Sequence, residues 1–122
     1  MRKPHINPGF WRGVNVNHNA IYVECFMDEL AQAVGQDPLE FRRALLVHAP
    51  RHRAVLNRAA EKSAWGAKLP PGRAHGVALH ESFGSVVAQV AQVSLEGGAV
   101  RVHRVTCAMD CGTVVNPNIV AQ

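Results

Sequence analysis

Valine-rich segments joined by a glycine turn constrain the fold of this 122-residue chain most strongly. Ser85–Leu95 and Ala99–Met109 are each as long as an extended β-strand, and the short stretch Glu96–Gly98 separates them. Valine favours strands, and a glycine pair supplies the left-handed backbone that a tight turn needs. The pattern predicts a β-hairpin, and the preceding segment Gly76–His80 is of the same valine-containing type.

In the segment Ala99–Met109 the apolar residues change from one face of the strand to the other halfway along. Val100 and Val102 share one face of a regular strand, whereas Val105 and Met109 share the other. Successive side chains of a strand point to opposite faces, so the switch needs a cause. We expect either a β-bulge near Arg104 or a strand that is buried on both faces.

The first half of the chain predicts three helices. Apolar residues recur at helical spacing from Ala20 to Gly35. Asp37 is an N-cap followed by a proline at the first helical position, which predicts a helix over Pro38–Val47. A third amphipathic helix is expected over Arg51–Ala64.

The spacing also predicts which helix faces are buried. In the first helix the inward face should carry Tyr22, Phe26, Leu30, Ala33 and Val34, and the solvent face Glu24, Asp28 and Glu29. In the third helix the inward residues should be Val55, Leu56, Ala59, Ala60 and Ser63. Together the elements predict an α+β fold, a helical segment followed by a small, mostly antiparallel sheet with helices on one face.

Changes in composition divide the chain into five parts. These are a loop over 1–19, a helical part over 20–66, a linker over 67–75 that contains Pro70-Pro71-Gly72, a β part over 76–110, and a final segment over 111–122. In the final segment Asn116 and Pro117 have the pattern of a helix start. We therefore interpret the segment as the beginning of a truncated helix.

Composition and charge exclude several classes of protein. No apolar run approaches the ~20 residues of a membrane span, and the basic N-terminus leads into polar residues instead of the apolar stretch of a secretory signal. Residues 1–73 hold 11 basic and 6 acidic side chains, but aromatic residues make up only 6% of the chain and no more than two Lys or Arg are consecutive. We interpret the excess as a solvated basic surface and expect no nucleic-acid partner.

The cysteines do not form a recognisable metal or disulfide pattern. Cys107 and Cys111, together with His103, invite a zinc hypothesis. On a strand, however, a four-residue spacing separates the two thiols by ~13 Å, too far for one small ion. We therefore expect buried free thiols at these positions and at Cys25.

Other polar residues allow a functional and a structural interpretation. His80 and Glu81 are adjacent and suit acid–base chemistry, but without a third partner we expect strand-edge residues. His18 either lines a site or lies at the surface. Asp110 is expected to order the turn that follows it, and Glu24 to be a solvated or helix-pairing charge.

Five segments together resemble one protein family. They are Pro8–Val14, Glu24–Leu30, Asp37–Arg42, Gly76–Val90 and Asp110–Pro117. In order and spacing they are similar to the large molybdopterin-binding subunit of the molybdenum hydroxylases, the xanthine dehydrogenase and aldehyde oxidase group. Gly76–Val90 is especially similar to the beta subunits of isoquinoline 1-oxidoreductases and to related aldehyde dehydrogenases.

The resemblance implies a chemistry and a set of site residues. Such enzymes use molybdenum bound by a pterin dithiolene to hydroxylate an aldehyde, or a carbon next to a ring nitrogen, with oxygen from water. By the same resemblance, Trp11, Arg12, Gly13 and Val14 line the molybdenum site as cofactor-binding residues. Xanthine oxidoreductases have a substrate-stacking aromatic residue where this chain has Val14, which argues against a stacked purine substrate.

Other parts of the family pattern have no counterpart among these residues. The general-base glutamate and the upstream glycine-rich pterin segments are not matched, and the cofactor-facing glutamine would fall one position after Gln122. We therefore assign no catalytic residue and no metal ligand. The chain is expected to be a fragment, inactive alone, and without its own molybdopterin, although molybdopterin is the cofactor of the full-length subunit.

The same reasoning gives the expected partners and an alternative function. The partners are the remainder of the large subunit and an iron–sulfur subunit or domain. Apolar surface left uncovered in a fragment also predicts self-association. The alternative is a non-catalytic α+β binding or assembly module derived from this fold. The sequence leaves the substrate open, and the compartment open between cytoplasm and periplasm.

Overall fold

The computed structural model describes residues 9–121, in which four helices and three strands follow one another. They are α1 Val16–Ala33, α2 Pro38–Leu45, α3 Pro50–Ser63, β1 Arg73–Ser82, β2 Ser85–Glu96, β3 Ala99–Asp110 and α4 Pro117–Ala121. The strands form one antiparallel sheet in the order β1-β2-β3. The α+β fold with a small antiparallel sheet is confirmed. No helix in the described part is both long and apolar enough to cross a membrane.

Local sequence signals explain where several elements begin and end. The Asp37 carboxylate accepts hydrogen bonds from the amides of Leu39 and Glu40 at 2.9 and 3.1 Å, as its N-cap prediction requires. Ala64 ends α3 in a left-handed conformation with a φ of 55°.

Two elements begin earlier than the sequence indicated. Helix α1 begins at Val16, inside the stretch predicted as loop, because the Val16 amide already donates to the Gly13 carbonyl at 2.9 Å. Strand β1 begins at Arg73 instead of Gly76, since β2 continues far enough to pair Arg73 with Ser94.

Helix α3 covers one face of the sheet, called here the front face. Its predicted inward residues, Val55, Leu56, Ala59, Ala60 and Ser63, are all buried, which confirms that prediction. They pack with Leu39 of α2 and with Val77, Val86, Ala88 and Val90 of the sheet. This apolar contact between helix and sheet is the core of the chain, and burial of such side chains is the main stabilising term in folding.

A β-bulge in β3 resolves the change of sides. Gln92 pairs with Arg104 but Val93 pairs with Val102, so His103 is an extra residue, as the bulge prediction near Arg104 requires. Because of this extra residue, the alternation of side chains between the two faces of the sheet shifts by one position after the bulge. The valines of both halves therefore share the face turned away from α3, called here the back face.

The back face carries an uncovered apolar surface. Its exposed apolar residues are Leu95, Val100, Val102, Val105 and Met109, and the exposed Cys107 lies among them. The alternative of a strand buried on both faces is therefore wrong for β3 in the chain as described.

Helix α1 is turned differently from its predicted orientation. Tyr22 is 69% exposed and Phe26 is 55% exposed, and Ala33 and Val34 are exposed as well. The prediction of a buried apolar stripe is wrong, because the acidic side of α1 faces α2 and β1, where it meets Arg42. Pairing of charges has determined this orientation in place of apolar burial.

Candidate functional site

The predicted cofactor-binding residues form a tight turn immediately before α1. The Val14 amide donates to the Trp11 carbonyl at 2.8 Å. Gly13 has a φ of 70° and Val14 a φ of 50°, both in the left-handed region. A Cβ atom at Gly13 would lie 2.0 Å from Oδ1 of Asn17, so glycine suits this position both sterically and conformationally.

The first two side chains of this turn are available to a ligand, whereas the Val14 and Val16 amides are already bonded within the chain. Trp11 is 83% exposed, and Arg12 is exposed beside it. Within the described residues the N-cap Asn15 does not cap α1 with its side chain. The first amides of a helix lack intrahelical partners and carry partial positive charge, and an arginine adds a full charge. The turn therefore has the donors and the positive charge that favour an anionic, oxygen-rich group.

A buried ionic network lies further along α1. Arg42 of α2 is only 3% exposed. Its guanidinium donates to Glu24 Oε2 at 2.9 Å and to Asp28 Oδ1 at 2.7 Å. It also donates to the backbone carbonyls of Pro38 and Glu24 at 3.1 and 3.0 Å. Three of these four contacts, those to Glu24 and Asp28, join α2 to α1, the helix that follows the Trp11–Val14 turn.

Glu24 also connects α1 to the sheet. The Leu79 amide, on the outer edge of β1, donates to Glu24 Oε2 at 2.8 Å. One carboxylate thus satisfies both a buried arginine and an otherwise unpaired strand amide. Of the two interpretations of Glu24, the helix-pairing one is confirmed.

A cavity of about 500 Å³ opens between α1 and the back face of the sheet. It is lined mainly by small and apolar residues, among them Ile21, Cys25, Ala78 and Val87, and His80 lies at its wall. The neighbouring Glu81 pairs instead with His52 of α3 at 2.8 Å. His80 and Glu81 are consecutive in β1 and point to opposite faces of the sheet, so they do not form an acid–base pair.

A second ionic contact holds the end of β3. Arg51 of α3 donates to both carboxylate oxygens of Asp110, at 2.9 and 3.1 Å. It also donates to the carbonyls of Asp110 and Gly84, at 2.9 and 2.8 Å. Asp110 in turn accepts from the Gly112 amide at 3.0 Å, which confirms its predicted role in ordering the turn.

This contact changes the ionisation of both partners. Hydrogen bonds from Arg51 and from the Gly112 amide lower the pKa of Asp110 from 3.8 to about 2. The hydrogen bond to Asp110 raises the pKa of Arg51 above its ordinary value. The segment that follows leads into α4, and Gln122 lies outside the described residues.

The structure brings together some predicted residues and leaves others apart. Trp11, Arg12, Gly13 and Val14 form one turn, whereas Asp110 pairs with α3. Cys25 and Cys107 are exposed, so the prediction of burial is wrong for them. Among the described residues no cluster of three or more His, Cys, Asp or Glu suits a metal ion.

Sequence reasoning did not identify Arg42 or Arg51 as important residues. Each binds partners that are distant along the chain, 14 and 18 residues away for Arg42 and 59 for Arg51. Arg42 did fall within one of the family-like segments, which was the available signal.

Comparisons with known proteins identify the family of the chain. Residues 16–122 match the family described as molybdopterin cofactor-binding domain. The match begins just after the Trp11–Val14 turn. No solved structure matches the chain.

Three characterised proteins are similar to most of the chain. The beta subunit of the isoquinoline 1-oxidoreductase of Brevundimonas diminuta is 34% identical over 91% of the chain. The membrane-bound aldehyde dehydrogenase (pyrroloquinoline-quinone) of Gluconacetobacter polyoxogenes is 35% identical over 91% of it. A nicotinate dehydrogenase subunit of Pseudomonas putida is 31% identical over 93%. The chain spans only 15%, 17% and 11% of the lengths of these relatives.

Proposed function

Because the chain belongs to the molybdopterin cofactor-binding domain family, we propose that it supplies one wall of the cofactor site of a molybdenum hydroxylase. The chain would be a fragment of the large subunit, inactive alone. When bound, the cofactor would supply the redox chemistry that hydroxylates an aldehyde or an N-heterocycle with oxygen from water. The relatives named for isoquinoline, nicotinate and aldehydes support this substrate class.

The Trp11–Val14 turn is the observation that carries the proposal. Its left-handed Gly13 packs against the Asn17 side chain with no room for a Cβ atom, which keeps the turn tight beside Arg12. Arg12 would hold an anionic oxygen of the cofactor, and the first amides of α1 would donate to the same group. Trp11 would cover the site with an aromatic surface and exclude water. These features fit molybdopterin, an anionic and oxygen-rich ligand.

The catalytic base and the remaining cofactor contacts would come from elsewhere in the enzyme. No residue of this chain is assigned a catalytic role. The proposed partners are the remainder of the large subunit and an iron–sulfur subunit or domain. On this proposal the chain alone would hold no molybdopterin, since a single turn supplies only part of a binding site.

The experiment compares the chain alone with the chain coexpressed with the remainder of a molybdenum hydroxylase, in a host that makes molybdopterin. Molybdenum is measured by elemental analysis and the pterin by fluorescence after oxidation. We expect both in the complex and neither with the chain alone. Arg12→Ala should lower the pterin content of the complex, whereas Arg53→Ala, an exposed arginine on α3, should not. A complex without molybdenum and pterin would contradict the proposal.

The self-contained core of the chain favours a second candidate. Residues of α2, α3 and the sheet pack into one apolar cluster. Such a core is consistent with a non-catalytic binding or assembly module that keeps the fold without the chemistry. The Arg12→Ala variant separates the two candidates, because the pterin content of a complex that contains a non-catalytic module would not depend on Arg12.

A further inference from the structure

The cleft between α3 and β3 has no role in the proposed function. It has a volume of about 610 Å³ and is called here the α3–β3 cleft. The helix contributes Ala54, Val55, Arg58 and Lys62, and the strand contributes Arg104–Met109. The size falls within the range of ligand-binding clefts, and its shape is a groove along one strand.

The strand that lines this groove is an edge of the sheet. In the described part of the chain β3 pairs with β2 alone, so its outer backbone groups have no strand partner. Unpaired amides and carbonyls of an edge strand bind an additional strand unless something prevents it. A groove between a helix and an edge strand is one in which extended peptides bind by adding a strand.

Protection against such pairing is confined to one half of β3. The bulge at His103 and the charged side chain of Arg101 lie in the first half. The second half, Val105–Met109, has no charge, no proline and no bulge. The cleft runs along this unprotected half, which is as long as a typical strand.

The charges around the cleft indicate the chemistry of its occupant. Arg58, Lys62 and Arg104 line it, and no described residue of the lining is acidic. Arg104 donates to the Lys62 carbonyl at 3.5 Å, which places two of the cations near each other. Glu61 pairs with Arg58 at 2.9 Å, but it is not part of the lining. An occupant with carboxylates is therefore favoured.

We propose that the α3–β3 cleft binds an extended acidic segment of another polypeptide, which adds to β3 as a fourth strand. Backbone hydrogen bonds to Val105–Met109 would supply affinity, and carboxylates opposite Arg58, Lys62 and Arg104 would select the partner. A second copy of this chain fits less well, because its own β3 would bring two further arginines and only Asp110 as an acid. The proposal is independent of the cofactor-site function.

A short fluorescent peptide that alternates glutamate and valine is a suitable probe. We expect its anisotropy to rise with the concentration of the chain, and the backbone amide NMR signals of 104–109 to shift. A peptide with lysine in place of glutamate tests the charge. A peptide N-methylated on alternate amides, which cannot pair with an edge strand along that side, tests the backbone pairing. Both should bind at least about tenfold more weakly.

Variants of the chain test the same contacts from the protein side. Lys62→Glu and Arg104→Glu should each weaken binding of the acidic peptide, and added salt should do the same. Arg53→Glu, on the same helix but outside the lining, is the matched control. Circular dichroism verifies that each variant is folded.

Several results would overturn the proposal. They are equal binding of the lysine or N-methylated peptide, shifts confined to residues outside 104–109, or no binding at millimolar peptide. Shifts of 104–109 that depend on protein concentration without any peptide, and that persist in Val102→Lys, which charges the back face outside the cleft lining, would assign the edge to a second copy instead.

Discussion

Asp110 shows how a single exposed contact orders the end of the sheet. Its carboxylate receives two hydrogen bonds from Arg51 and one from the Gly112 amide. The bonds favour the ionised form, which lowers the pKa from 3.8 to about 2. Since the pKa is lower in the folded chain than in the unfolded one, this carboxylate stabilises the fold above the unfolded value. The contribution is lost as the pH falls through about 2.

An NMR titration of the Asp110 carboxyl carbon tests this contact. We expect a midpoint of about 2 in the parent chain, and a midpoint closer to 3.8 in Arg51→Gln, which loses the guanidinium. Arg53→Gln should leave the midpoint unchanged. A parent midpoint already near the ordinary value would contradict the contact.

Gly13 gives a second prediction for one residue. Gly13→Ala places a Cβ atom on a backbone with a φ of 70° and against the Asn17 side chain. The left-handed conformation alone costs alanine about 1 kcal/mol, so the turn and the first amides of α1 should exchange hydrogen faster. Gly9→Ala is the control, because that glycine has no positive φ and nothing within 4 Å of its Cβ position. Equal exchange in the two variants would show that the turn does not need glycine.

The two long helices show what sequence periodicity determines at the scale of elements. All five predicted inward residues of α3 are buried, because the helix lies on an apolar sheet face. The apolar stripe of α1 did not predict the buried side of that helix, because the orientation of α1 depends on Arg42, a residue of another element. Periodicity reports the amphipathic character of one helix and does not report a buried charge on its neighbour.

The candidate site also has one part that the sequence predicted and one part that it did not. The Trp11–Val14 segment was predicted to bind the cofactor from its resemblance to a contiguous family segment. The structure forms a turn there, and the binding role stays a prediction. The Arg51 contact joins residues 59 positions apart, so no local pattern predicts it. The bulge in β3 was predictable, since it leaves a change of alternation within one strand.

Arg42 provides the energetic test of the elements. Arg42→Met leaves Glu24, whose side chain is only 14% exposed, without its cation. Removal of one partner from a largely buried ion pair costs about 3 kcal/mol, which we expect as a loss in the free energy of unfolding. Chemical denaturation measures it. Arg43→Met removes a more exposed pair with Glu40 and should cost less than about 1 kcal/mol. Similar losses in the free energy of unfolding for the two variants would contradict a larger contribution from the buried Arg42 network.

The back face determines the behaviour of the whole molecule. It exposes five large apolar residues on one side of the sheet, and the charged residues of β3 lie outside this set. Apolar patches of this kind normally contact another surface. The relatives are several times longer than this chain.

Self-association is the expected consequence for the isolated chain. Analytical ultracentrifugation should show oligomers whose proportion rises with concentration. The double variant Val102→Lys and Val105→Lys, which charges the back face, should be mainly monomeric. Val47→Lys, at an exposed site outside this face, should associate like the parent chain. A parent chain that stays monomeric at high concentration would contradict this prediction.

The position of Trp11 against the cofactor gives the most direct test of the central claim. The chain has only one other tryptophan, so Trp65→Phe leaves Trp11 as the single tryptophan of this chain. Subtracting the emission of the double variant Trp11→Phe and Trp65→Phe isolates the Trp11 signal within the complex. Pterins absorb at the wavelengths at which tryptophan emits, and the efficiency of energy transfer between them falls steeply with distance. In the complex with the remainder of the enzyme, we predict that Trp11 emission is strongly quenched with the cofactor and recovers without it. Trp11→Phe, which retains Trp65, should show a smaller change. Emission from Trp11 that is the same with and without bound cofactor would contradict the account.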